Sequence, residues 1–218
     1  MQLQLDVNGE KLAVYLSRPP VGDGTPLLLL HPWWGLNDDI RGLADRFMES
    51  GFMVAAPDLF GGQVATTVDD ADRLSGELTE TFGDAAVLAA FDALMADAGS
   101  RPAGVIGLSM GAGWAPWIPA QRPDAKASVV YYGTTDEAHV AGSSAPILGH
   151  FAETDPYEDE ESVAAFETVC RVAGRELELH RYPGTGHWFA EPSQAAYVAD
   201  AADLAFQRTV TFLRRHLA

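Results

Sequence analysis

The chain has a single cysteine, Cys170, so no disulfide can form within it. Positive charge is scarce: 14 lysines and arginines stand against 31 aspartates and glutamates, for a net charge of −17. Such a surface repels nucleic-acid phosphates and anionic lipid, so neither is an expected partner. Membrane-length apolar runs are missing as well. Leu27 to Leu30 stops at His31 and Pro32, far short of the roughly 20 residues that a span needs. The opening MQLQLDVNGEKLAV lacks the basic flank and apolar stretch of a secretory signal, which makes the cytoplasm the expected location. There is no H-E-x-x-H, no cysteine-containing ligand spacing, no phosphate-cradling loop and no dinucleotide fingerprint, so no metal or cofactor is expected.

What is present suits one domain. The 218 residues are 47% hydrophobic, enough for one sizeable core, with no repeat, low-complexity tract or long linker. Residues 2–7 and 11–17 read as a hairpin turning at Asn8-Gly9. Residues 26–31 (PLLLLH), 52–57 (FMVAAP), 103–108 (AGVIGL), 126–133 and 145–151 read as strands, with a last one at 176–182. Between them lie helical stretches: Asn37 to about Ser50, then near 68–80, 84–98 and 158–173, and a final helix over 194–216. Asn37 is a capping residue, Asp38 and Asp39 suit the first turn, and Gly51 suits the end. Repeated strand–helix alternation implies an α/β fold with a mostly parallel sheet and helices on both faces. Pro116 and Pro119 interrupt the segment after Ser109, and interior prolines cost roughly 3 kcal/mol each, so a short or kinked helix is expected there.

The sharpest signal is Gly107-Leu108-Ser109-Met110-Gly111, a G-x-S-x-G element after an apolar strand. A tight strand-to-helix turn would push Ser109 out of the sheet edge, with glycines leaving room for the backbone. Serine needs a base. Of six histidines, His187 alone follows the last expected strand in a glycine-rich loop, PGTGHWF. The base needs an acceptor that fixes its tautomer. Asp155, in the loop after the strand ending near Phe151, is the first choice, and Glu153 is a chemically competent second. The order Ser109, Asp155, His187 is that of α/β-hydrolases. Oxyanion donors are expected from the backbone N–H of Met110 and of Trp33, because Pro32 has none. Trp34, Phe60, Trp114, Tyr132 and Trp188 are candidate walls of an aromatic substrate pocket. Cys170 sits among apolar residues in a helical stretch and reads as buried filler.

HPWWGLN, GLSMG, HFAETDPY and PGTGHWF, in that order, resemble the dienelactone hydrolase family, and the resemblance runs from about residue 10 to 215. It implies a compact α/β-hydrolase without a large cap, hydrolysing an ester or lactone without a cofactor. By analogy Ser109 takes the nucleophile position, Asp155 the acid, His187 the base, and Trp33 and Met110 the oxyanion donors. Three positions depart from the family pattern. Its founding members have cysteine where Ser109 stands, glutamate where Pro32 stands, and a substrate-holding arginine where Glu191 stands. A glutamate there would repel a carboxylated lactone, so a neutral, partly apolar ester or lactone is the expected substrate. The competing readings are a non-catalytic small-molecule binder on the same fold, and an acyltransferase or perhydrolase using the same three residues. A monomer or small homo-oligomer is the expected form.

Overall fold

The structure, a computed structural model, describes residues 1–218. Two compact units make up the chain, Met1–Ala103 and Gly104–Ala218. The first holds β1 (Gln2–Val7), β2 (Glu10–Ser17), β3 (Thr25–Leu30), α1 (Asp38–Glu49), β4 (Phe52–Asp58), α2 (Val68–Glu77) and α3 (Glu80–Ala98). Its strand order is β1-β2-β4-β3: β1 and β4 flank β2 antiparallel, and β3 runs parallel to β4. Every residue of β4 is buried, which is why its sequence reads as an unbroken run instead of an alternation. Helix α1 begins where Asn37 accepts the N–H of Ile40 at 3.1 Å. It buries Ile40, Ala44 and Phe47, spaced four and three residues apart, and Phe47 meets Phe52 edge-on at 6.0 Å. Asp45 ties α1 to β2 by accepting the hydroxyls of Tyr15 and Ser17.

The second unit holds β5 (Ala103–Leu108), a 3₁₀ turn (Ser109–Gly113), α4 (Ile118–Gln121), β6 (Ala125–Tyr131), α5 (Glu137–Val140), β7 (Ile147–Thr154), α6 (Glu160–Val172), β8 (Leu177–Gly186) and α7 (Ala199–His216). Its strand order is β5-β6-β7-β8, with β7 parallel to both neighbours. The class is therefore α/β with a mostly parallel sheet. No insertion is large enough for a cap, and no helix is long and apolar enough to cross a membrane.

Three expectations need correction, and a fourth holds. Strand β6 stops at Tyr131, because Tyr132 adopts a φ of 36° that no strand can hold. Strand β8 runs on to Gly186 past its Pro-Gly, through an irregular register that pairs Thr154 with Gly186. There the exposed carboxylate of Glu153 accepts the Gly184 N–H at 2.8 Å. The final helix starts at Ala199, not 194, because successive turns take up 188–198: Glu191 N–H to Trp188 O, Gln194 to Glu191, Tyr197 to Gln194. Finally, the chain after the 3₁₀ turn makes only the four-residue α4, with a proline in its first turn, as the two prolines foretold.

Two buried histidines join elements. Nδ1 of His31 donates to Pro32 O at 2.7 Å, and Nε2 accepts the Leu59 N–H at 3.1 Å, tying the end of β3 to the end of β4. His150 on β7 meets Tyr182 OH at 2.8 Å and Thr209 Oγ1 at 2.9 Å, and Thr209 also meets Tyr131 OH at 2.7 Å, so α7 is pinned across β6, β7 and β8. Burial holds both imidazoles below their ordinary value, His150 well below it, with help there from the nearby charges of His180 and Arg208. The unfolded chain therefore takes up these protons first. Stability from this source is complete above the ordinary histidine value of 6.5 and drains as pH falls below it. Urea denaturation midpoints should drop between pH 7.5 and 5.5, and His150→Gln should flatten that drop at the expense of stability at pH 7.5; a midpoint independent of pH over this range would contradict the assignment.

Candidate active site

Strand β5 delivers Ser109 into a tight elbow. Its φ is 48°, a left-handed conformation costing a non-glycine residue on the order of 1–3 kcal/mol, held here by close backbone packing. A Cβ on Gly107 would lie 2.2 Å from Gly111 O, so no side chain fits at that position. A second close approach comes from the end of β6. A Cβ on Gly133 would lie 2.5 Å from Ala112 Cβ and 2.7 Å from Ser109 O. Of the four non-glycine residues with positive φ, Asn8 sits in the hairpin turn, and the others are Ser109, Tyr132 and Trp188. Backbone strain is thus concentrated around one place.

At that place three side chains form a relay. Ser109 Oγ lies 2.9 Å from His187 Nε2, and His187 Nδ1 lies 2.7 Å from Asp155 Oδ2. The other oxygen of Asp155 accepts the N–H groups of Tyr157 (2.9 Å) and Glu158 (3.0 Å), so the carboxylate is held on both oxygens. A carboxylate against Nδ1 keeps the proton there, leaving the Nε2 lone pair to accept from the serine hydroxyl. The side chains of His187 and Asp155 are only 4% and 2% exposed, which shields their bond from water. Ser109 and Met110 remain half-buried and reachable. The alternative acid, Glu153, is exposed and engaged with Gly184, so Asp155 is the carboxylate that meets the imidazole.

The imidazole is enclosed by rings. Tyr132, fully buried, backs it at 5.0 Å; Trp188 meets it edge-on at 4.9 Å; Tyr157, an exposed residue, covers it at 4.9 Å. The hydroxyl of Tyr132 donates to Glu191 Oε1 at 2.8 Å. Glu191 is 1% exposed, so it braces the turn after His187 from within and acts on no ligand through an open surface. Tyr132 likewise has no exposed surface to offer a ligand. Glu158 accepts the N–H and hydroxyl of Thr134 at 3.0 and 2.8 Å, joining the loop after β6 to the Asp155 turn. Burial raises the pKa of Glu158 against the lowering effect of those two bonds.

The remaining candidates are placed as follows. Trp114 is half-buried, and its carbonyl accepts the N–H groups of Trp117 and Ile118 in the turn before α4. Trp33, Trp34 and Phe60 belong to the first unit. Trp33 is half-buried and stacks edge-on against Trp34 at 5.6 Å. Trp34 and Phe60 are each 6% exposed, and Phe60 abuts His31 and lines a cleft of about 300 Å³ with Asp58, Leu74 and Phe82. Burial pushes the Cys170 thiol up to about 11, against the pull of nearby Arg175, so it is neutral filler as expected. No group of three or more histidines, cysteines or carboxylates has metal-holding geometry. Gly133, Thr134, Tyr157, Glu158 and the bracing role of Glu191 carried no signal in the sequence beyond proximity to the motifs.

The dienelactone hydrolase family model matches residues 12–217. The chain belongs to the dienelactone hydrolase family. It is a carboxylic ester or lactone hydrolase by that membership. A Bradyrhizobium relative assigned as a 2-oxo-3-(5-oxofuran-2-ylidene)propanoate lactonase is 29% identical, over 99% of this chain and 94% of its own. An Azospirillum brasilense relative assigned as a carboxymethylenebutenolidase is also 29% identical, over 94% of each chain. A crystal structure from Klebsiella pneumoniae, assigned as a dienelactone hydrolase, superposes with a TM-score of 0.85 at 22% identity, covering 99% of this chain and 98% of that one. At that identity the last comparison establishes the fold.

The close approach of Gly133 to the elbow gives a test. Gly133→Ala should cost about 1–3 kcal/mol through overpacking, and it should slow covalent labelling of Ser109 by a fluorophosphonate. Unchanged labelling and an unchanged urea midpoint would mean that the elbow tolerates the added carbon.

Proposed function

We propose that this enzyme hydrolyses small, neutral, partly apolar esters or lactones through an acyl-enzyme on Ser109. The observation that carries the reading is the hydrogen-bonded relay from Ser109 Oγ through His187 to Asp155. Ser109 Oγ attacks the carbonyl carbon as its proton passes to His187 Nε2. Nδ1–H stays on the imidazole, and Asp155 stays ionised and stabilises the imidazolium. The N–H groups of Met110 and Trp33 are the proposed donors to the oxyanion, each worth about 3–4 kcal/mol of barrier. When the intermediate collapses, the C–O bond breaks, its electron pair goes to the leaving oxygen, and that oxygen takes the proton from Nε2. In a lactone the leaving oxygen stays tethered to the acyl chain. Water then attacks the acyl carbon, loses a proton to Nε2, and Ser109 is restored.

The lactonase and carboxymethylenebutenolidase names of the relatives support a lactone as one substrate class. The absence of the family's arginine supports a neutral one, since the residue in its place, Glu191, is a buried acceptor for Tyr132 and offers a carboxylate no positive partner. Trp188 and Trp114, both half-buried, are proposed as pocket walls. A cytoplasmic site of action and a monomer or small homo-oligomer complete the proposal.

Ser109→Ala and His187→Ala should each lower kcat roughly 10⁴-fold or more, and the double variant should be little worse than either. Additive losses would mean that the two do not work as a unit. A fluorophosphonate should label the wild type and not Ser109→Ala; an unlabelled wild type would favour the non-catalytic binder. Higher kcat/KM on carboxylated lactones than on neutral ones of equal size would overturn the substrate assignment.

A further inference from the structure

We infer that Tyr157 and Trp188 form the leaving-group subsite of this enzyme, and that the group it takes is a flat aromatic alcohol, as in an aryl ester. The inference rests on the acyl-enzyme reading and specifies its substrate. The two rings lie 5.3 Å apart at 50° to one another, and each touches the His187 imidazole at 4.9 Å. Tyr157 is 48% exposed, an unusual place for a ring that borders a buried imidazole. Its position is nevertheless fixed. Its backbone N–H donates to Asp155 Oδ1, so the turn that holds the acid also carries this residue. Trp188 follows His187 directly and is held with φ at 66°. A strained conformation beside the reacting groups is an arrangement that folding alone does not favour.

The chemistry of the second half-step says what lies beside these rings. The proton on Nε2 must reach the leaving oxygen, which requires that oxygen to come within about 3 Å of Nε2. The group carried by that oxygen then extends past the imidazole, away from the carbon attached to Ser109. Of the rings that touch the imidazole, Tyr132 is fully buried and bound to Glu191, so it has no exposed surface to offer a ligand. Tyr157 and Trp188, exposed and half-buried, are the two that keep accessible surface. A leaving group with its own π face gains offset or edge contacts with that pair, and a saturated one does not.

The test uses two acetyl esters, phenyl acetate and a fluorinated alkyl acetate whose alcohol is as acidic as phenol, so that chemistry is matched and ring contact is not. Wild type, Tyr157→Ala and Tyr157→Phe are assayed on both, with fluorophosphonate labelling of Ser109 to establish an intact site in each. Wild type should favour the phenyl ester. In Tyr157→Ala the phenyl-to-fluoroalkyl ratio of kcat/KM should fall about three- to tenfold, mainly through KM, the size expected for one lost aromatic contact. Tyr157→Phe, which keeps the ring, should retain the ratio. An equal loss on both esters would overturn this inference alone, since Tyr157 would then act by positioning His187 and Asp155. An unchanged ratio in Tyr157→Ala would overturn it as well. Failure of the wild type to turn over either ester or to take the label would overturn the acyl-enzyme reading, and this inference with it.

Discussion

The hydrogen bond of 2.7 Å between His187 Nδ1 and Asp155 is the contact on which the rest of the site depends. An imidazole has two nitrogens and, when neutral, one proton. Only with that proton on Nδ1 can Nε2 face Ser109 as an acceptor. Asp155 enforces the choice, and it does so from a fixed position. Its second oxygen is occupied by two backbone N–H groups, so the carboxylate cannot swing away without breaking a turn. Burial of both partners then keeps water from competing for the bond.

Holding three strands' ends to that geometry requires backbone conformations that the sequence would otherwise avoid. Ser109, Tyr132 and Trp188 all take positive φ, one at the end of β5, one at the end of β6 and one just beyond β8. Each is fixed by packing that leaves no alternative. Gly107 and Gly133 let the backbone close on the elbow, the Tyr132 hydroxyl is anchored by Glu191, and Trp188 is wedged against Tyr157. The strain and its support are therefore one structure. The buried His150–Thr209–Tyr131 network on the far side of β7 holds those strands to α7 without any part in the relay.

Much of this was legible because it is local. A serine between two glycines at the end of a buried strand is specified within five residues, and so is the capping of α1 by Asn37. The short helix after the elbow followed from two prolines. The three side chains that meet in the relay were picked out by asking which carboxylate and imidazole follow strands, a question of order along the chain. What stayed hidden depends on contacts across the fold. Nothing near Gly133 announces that Ser109 O lies 2.7 Å from where its Cβ would be. The continuation of β8 through Pro183 and Gly184 is set by Glu153, thirty-one residues earlier. The end of β6 at Tyr131 is a consequence of a φ value that side-chain type does not encode.

Glu191 shows why a residue's identity and its surroundings must be read together. From the sequence it is a reversal of charge at a position where the family has an arginine, and repulsion of an anionic substrate follows. In the fold its carboxyl is 1% exposed and accepts from the tyrosine that backs the catalytic imidazole. The proposed preference for a neutral substrate then rests on a different route. A surface glutamate would repel a carboxylate through space, weakly and in a salt-dependent way. A buried one, bound to Tyr132, offers a carboxylate no cation at this position, and desolvating an unpaired carboxylate is the larger penalty. The same substitution gives His187 a rigid backing, because Tyr132 is held at its hydroxyl end. One residue thus replaces the positive charge of the family pattern and braces the ring behind His187, and this is why the proposed selectivity is sought in the aromatic surface beside the imidazole.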